Sequence, residues 1–128
     1  MFKPVIWFLI FSLFLTEFLV SQEVETGIAD GAILRGLDKV SGKVKDIPLY
    51  SGDTAVFGTL SVLLKGCRYP LNNPAGEAFV RLVISEGPAQ KNIFDGWMSA
   101  SSPALNPLDH ARYDVWALRC AMADTSGE

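Results

Sequence analysis

Short strand-like runs of hydrophobic and polar residues dominate the chain after its first 21 positions. A strand that buries one face repeats its apolar residues at every second position, whereas a helix repeats them about every 3.6 positions. Seven segments are alternating or rich in β-branched and aromatic residues, and Gly, Pro, Asn or Asp turn signals separate them. They are residues 32–37, 44–49, 54–57, 59–64, 78–85, 93–98 and 113–121. The pattern predicts an all-β fold, a small sandwich or barrel of about seven short strands.

One segment, residues 99–112 (SASSPALNPLDHAR), interrupts this pattern. Ser102 precedes Pro103, and an N-cap residue type before a proline is typical of the first turn of a helix. Asn106 and Pro107 repeat the arrangement, and a proline at this position prevents one continuous helix. We therefore predict one irregular loop with two helical turns in series, called the proline loop below.

The first 21 residues have the pattern of an export signal. Lys3 precedes an almost continuous apolar run, residues 5–20. A helix of this length spans about 24 Å, less than the roughly 30 Å of a bilayer core, which favours a signal peptide. An uncleaved membrane anchor remains the alternative, because Leu19 is larger than a cleavage site prefers. The predicted organisation is a signal peptide or anchor (1–21), a flexible lead-in (22–31), a β domain (32–122) and a flexible tail (123–128).

Composition and charge narrow the class of protein further. The chain is 49% hydrophobic, and 11 Lys and Arg stand against 14 Asp and Glu, for a formal net charge of −3. The apolar fraction argues against disorder, and the absence of a basic excess argues against a nucleic-acid partner. With one His and two Cys, the chain lacks the four N or S ligands of a structural zinc site. We expect no metal and no cofactor.

Cys67 and Cys120 are the only cysteines. An exported chain meets an oxidising compartment, which favours a disulfide between them. A pair of buried, unlinked thiols is the competing interpretation.

Three motifs resemble a known family: LRGLDKVSGK, FGTLSVLLKGC and GWMSASSPALNPLDHARYDVWALRC. They are similar to the conserved core of small exported alphaproteobacterial proteins classed as a domain of unknown function. The sequence departs from that pattern at Ser99, where an aromatic residue is usual, and at Ala111, where proline often follows the histidine. The resemblance implies a periplasmic location and a pairing of Cys67 with Cys120. It brings no established activity, but it implies association with inner-membrane respiratory complexes, complex I in particular.

The candidate chemistry for an enzyme is sparse. His110 is the only imidazole, and Asp109 and Asp114 are its nearest carboxylates in sequence. No G-x-S-x-G motif surrounds the nearby serines, and two acids without a characteristic spacing do not define a glycosidase. We predict a protein without catalytic residues, with a small periplasmic hydrolase, acting on glycans, as the alternative.

Loops held on rigid scaffolds carry function disproportionately, so the proline loop and its flanks are the candidate recognition face. They combine the histidine with an arginine and aromatic residues, the types that dominate binding energy at interfaces. The candidate residues are Trp97, Ser101, Ser102, Asn106, His110, Arg112, Tyr113 and Trp116. The sequence thus predicts an accessory or binding module of the cell envelope, with a protein partner at or near the inner membrane. The alternative is that the proline loop only closes one end of the domain.

Overall fold

Two antiparallel β-sheets pack face to face around one hydrophobic core. The structure is a computed structural model that describes residues 25–73 and 76–123. The all-β prediction is confirmed, and the two sheets form a sandwich and not a closed barrel. The eight strands within these residues are β1 (Thr26–Ala29), β2 (Gly31–Asp38), β3 (Val44–Tyr50), β4 (Thr54–Phe57), β5 (Leu60–Pro70), β6 (Phe79–Glu86), β7 (Lys91–Ser99) and β8 (Tyr113–Ala121).

The larger sheet is built around β5, the longest strand. Its strand order is β1-β5-β6-β7, and β4 also pairs with β5. β4 pairs with the first part of β5 and β1 with the last part, so two short strands share one edge of it. β6 occupies the other edge, and β7 completes the sheet.

The smaller sheet has the order β3-β2-β8. Its central strand, β2, comes early in the domain, whereas β8 is the last strand of the described residues. Leu34 in β2 lies opposite Ile47 on one side and Ala117 on the other. All three side chains are buried, which shows that the inner face of this sheet is apolar across its width.

Alternate residues of the strands fill the core. In β6, Val80, Leu82 and Ile84 are fully buried, while the residues between them are half-buried on the outer face. Leu34 from the smaller sheet joins the same cluster. Among the described residues, those buried in the core all lie between Ala29 and Ala117.

A disulfide between Cys67 in β5 and Cys120 in β8 joins the two sheets. The Cα atoms are 5.6 Å apart, and Cys67 is fully buried. The predicted disulfide is therefore confirmed, and the unlinked-thiol alternative is excluded.

Two segments differ from the pattern expected from sequence. β1 lies inside the expected lead-in (22–31) and exists because it pairs with the end of β5. The proline loop contains one turn of 3₁₀ helix, Pro103–Leu105, and not two helical turns. The side chain of Asn106 donates to the carbonyl of Trp97, so it does not cap a second turn.

The expected signal peptide or anchor (1–21) lies outside the described residues, as does the tail beyond Ala123. Within residues 25–73 and 76–123, no helix is long and apolar enough to cross a membrane.

Candidate functional site

The proline loop connects β7 of the larger sheet to β8 of the smaller sheet at one end of the sandwich. Glu77 fixes its first part. The carboxylate accepts hydrogen bonds from the hydroxyls of Ser99 and Ser101, and from the backbone N–H of Ser101 at 3.1 Å. Burial opposes ionisation of this carboxyl, but these hydrogen bonds outweigh it and lower the pKa of Glu77. An ionised Glu77 therefore ties the end of β7 and the start of the loop to the segment just before β6.

The middle of the loop is rigid in its backbone but exposes an apolar side chain. The N–H of Leu105 donates to the carbonyl of Ser102 at 3.1 Å, which closes the 3₁₀ turn. Asn106 ties the end of this turn to the carbonyl of Trp97 at 2.9 Å. Leu108 packs into the core, whereas the Leu105 side chain is 81% exposed. The loop thus presents Leu105 at its surface between fixed points.

His110 fixes the second part of the loop through both ring nitrogens. Its Nδ1 accepts the backbone N–H groups of Arg112 and Tyr113, each at 3.0 Å. Because Nδ1 is an acceptor, the neutral ring carries its proton on Nε2, which donates to Glu86 at 2.8 Å. The hydrogen bond from His110 lowers the pKa of Glu86. The imidazole joins the loop to the end of β6 in the larger sheet.

The same part of the loop is also tied to the smaller sheet. Lys39, directly after β2, donates from Nζ to the carbonyl of His110 at 2.6 Å. Arg112 makes a two-pronged ion pair with Asp38, with Nη2 2.9 Å from Oδ2, and its guanidinium lies 5.2 Å from the centre of the Tyr113 ring. The hydrogen bond from Arg112 holds the pKa of the Asp38 carboxyl well below its usual range. Both sheets therefore hold the loop.

An apolar groove of about 400 Å³ runs between the loop and β8. The prolines 103 and 107 form one wall, and Trp116 forms part of the other. Asp114 is the charged residue in the lining. A groove of this size is large enough for an apolar side chain, and the exposed Leu105 follows Ala104 of its lining in sequence.

The structure separates the candidate recognition residues into three groups. Ser101, Ser102, Asn106, His110 and Arg112 belong to the proline loop, and all but Ser102 use their side chains to fix it. Tyr113 is only 4% exposed and packs edge-on against Phe57 in the core. Trp116 lines the groove, whereas Trp97 lies on the outer face of the larger sheet. The two tryptophans thus do not form one base beneath the loop.

Asp38, Glu77, Glu86 and Leu105 are not among the residues that the sequence assigned to the candidate recognition face. The ion pair of Asp38 with Arg112 spans 74 positions, and the contact of Glu86 with His110 spans 24. No local pattern encodes such pairs. The exposure of Leu105 had a partial signal, because an apolar residue stands between two prolines in a polar segment.

Two hydroxyls and the imidazole of the loop are already engaged in hydrogen bonds within the chain. The hydroxyls of Ser99 and Ser101 bind Glu77, and both nitrogens of His110 are engaged by the backbone and Glu86. In the part of the chain that the structure describes, no group of three or more His, Cys, Asp or Glu residues could hold a metal ion. Polar side chains of the loop form hydrogen bonds that hold the loop on the two sheets.

The chain belongs to a bacterial family whose model is described as an uncharacterized protein conserved in bacteria (DUF2155), and the match covers residues 32–120. It is also similar to a protein of Rickettsia prowazekii (strain Madrid E) that is described as uncharacterized, with 26% identity over 87 residues. This alignment covers 66% of the chain and 56% of the relative, so the chain spans little more than half of that protein. No solved structure matches the chain.

Proposed function

We propose that the chain is an exported accessory module of the cell envelope, without catalytic activity, that binds a protein partner at the inner membrane through the proline loop. One observation carries this proposal: the loop is held by both sheets, yet Leu105, next in sequence to Ala104 of the apolar groove, is 81% exposed. A loop that is already ordered loses little conformational entropy on binding, so such contacts favour affinity.

The other parts of the proposal come from the sequence. The apolar run at residues 5–20 supports export, and the family resemblance supports a periplasmic location. The same resemblance suggests a finer proposal, that the partner is part of respiratory complex I. Both ring nitrogens of His110 already serve to fix the loop, which supports this role over the hydrolase alternative.

A comparison of two serine variants tests the proposed interface. Leu105→Ser removes the exposed side chain of the loop, and Val44→Ser is the matched control at a 54% exposed position on the smaller sheet. Both changes are expected to alter the free energy of unfolding by less than about 0.5 kcal/mol, because neither side chain is buried. Each tagged protein is recovered from solubilised inner membranes, and the copurifying proteins are quantified against the unsubstituted chain.

We expect one membrane protein, in fixed ratio to the unsubstituted chain, to be lost with Leu105→Ser and retained with Val44→Ser. Subunits of complex I in that fraction would support the finer proposal. Equal recovery of the partner by both variants, with melting temperatures unchanged, would show that the proline loop is not the interface.

A further inference from the structure

The outer face of the larger sheet is unusually apolar for a surface that meets solvent. Antiparallel sheets with one solvated face normally alternate apolar-in and polar-out. Here Phe79 and Val83 in β6 lie on the outer side, between the buried positions of that strand. Ile28 in β1 is 74% exposed, and Trp97 in β7 is 42% exposed. Exposed apolar residues clustered in this way mark binding surfaces.

Cations surround these apolar side chains. Lys65, Arg68 and Arg81 line a concavity of about 260 Å³ together with Ile28 and Trp97. The register of β5 shifts between Leu64 and Gly66, so Lys65 lies in a β-bulge. The next residue, Gly66, has no side chain and lines the concavity beside Lys65. The Arg68 guanidinium lies 5.7 Å from the centre of the Trp97 ring.

Most of this positive charge is not neutralised within the described residues. Asp95 pairs with Arg81 at 2.5 Å, but Lys65 and Arg68 make no ion pair with any described residue. The Nε of Arg81 is buried and also lacks a hydrogen-bond partner among the described residues. Three cations against one carboxylate stand out in a chain with a net charge of −3. The complementary partner for this face is therefore anionic.

We propose that this face binds the surface of a bilayer that contains anionic phospholipid. Lys and Arg attract anionic headgroups. Tryptophan favours the depth of the headgroups because its ring is amphipathic. Ile28 and Trp97 insert beside the headgroups, and Lys65 and Arg68 contact the phosphates.

The position of β1 in the chain supports a bilayer over an acidic protein. Ile28 lies in the first strand, and only residues 21–25 separate that strand from the apolar run at 5–20. Five extended residues reach about 17 Å. An uncleaved anchor would therefore keep this face beside the membrane, and export would release a cleaved chain at the same surface.

Vesicle sedimentation tests the proposal with a chain that begins at Gln22, after the expected signal segment, and that contains every buried core residue among those that the structure describes. Lys65→Gln with Arg68→Gln removes two cations from the face. Lys43→Gln with Lys45→Gln removes the same charge from exposed positions beside and within β3 of the smaller sheet. Each cation near an anionic surface contributes about a fivefold gain in binding, so the first pair is expected to weaken partitioning about 25-fold.

We expect the unsubstituted chain and the β3 control to sediment with phosphatidylcholine vesicles that contain phosphatidylglycerol, and to be released by high salt. Neither is expected to sediment with pure phosphatidylcholine. Failure of the unsubstituted chain to bind, equal binding to neutral vesicles, or equal losses in the two double variants would each overturn the proposal. A face that serves an acidic protein would give the first of these results.

A second measurement leaves the face intact. In a Trp116→Phe variant of the chain from Gln22, Trp97 is the remaining tryptophan. Its emission is expected to shift to shorter wavelength on binding and to be quenched by brominated lipid in phosphatidylglycerol vesicles. Unchanged emission with bound vesicles would place the contact elsewhere and overturn the assignment to this face.

Discussion

At the scale of single residues, His110 uses both ring nitrogens to hold the second part of the proline loop in place. Its ring accepts two backbone N–H groups, donates to Glu86, and leaves 15% of its side chain exposed. Substitution would leave the N–H groups of Arg112 and Tyr113 without their acceptor, close to the core residue Tyr113. A histidine that the sequence suggested as a recognition residue therefore has a clear role in positioning the loop.

We expect His110→Ala to lower the free energy of unfolding by about 1–3 kcal/mol, because it leaves partly buried donors unsatisfied. Asp109→Ala is the control, since Asp109 is exposed and makes no side-chain hydrogen bond within the described residues. The control is expected to stay within about 0.5 kcal/mol of the unsubstituted chain. Denaturant unfolding measures both, and equal stability of the two variants would refute this role.

At the scale of elements, the alternation of apolar and polar residues predicted the strands well where a strand packs against the core. β4 and β8 have the predicted bounds, and β6 is displaced by one residue. β1 was not predicted, because TGIA is short, contains a glycine and depends on pairing with the distant end of β5. The extension of β5 to Pro70 has the same cause, since β1 supplies its partner there.

The proline loop shows which parts of the site the sequence could define. Its first turn follows from the local rule for Pro103 at the start of a helix, although the side chain of Ser102 makes no capping hydrogen bond. The second turn fails because Asn106 uses its amide on the carbonyl of Trp97, a contact that depends on the path of β7. The carboxylates that hold the loop, Asp38, Glu77 and Glu86, lie at least 22 positions from their partners in the chain, so no local rule could select them.

Gly58, between β4 and β5, tests the geometry of a tight turn. Its φ is +59°, and a Cβ there would collide with the phenol of Tyr113. Gly42 is the control, because its φ is +76° but a Cβ would meet no atom within 4 Å. We expect Gly58→Ala to lower the free energy of unfolding by about 1–3 kcal/mol and more than Gly42→Ala does. Thermal unfolding of both variants decides, and equal losses would mean that the contact with Tyr113 has no effect.

At the scale of the whole molecule, one covalent bond holds the two sheets together. Cys67 and Cys120 are separated by 53 positions, so their disulfide restricts most of the unfolded domain. We expect thiol titration of the unreduced, denatured protein to find no free thiol. Cys67→Ser is expected to lower the free energy of unfolding by about 2–5 kcal/mol. Two titratable thiols in the unreduced protein, or a Cys67→Ser variant of unchanged stability, would contradict this.

The pairing of β2 with β8 has a consequence for when the domain can fold. β2 begins at Gly31 and β8 ends at Ala121, so the smaller sheet lacks one edge until residue 121 has been synthesised. Contacts between such distant segments form late and slowly. The nascent chain therefore emerges from the ribosome without a closed core. It therefore stays unfolded for longer, and an unfolded chain is what passage through a narrow export channel requires under the proposed export.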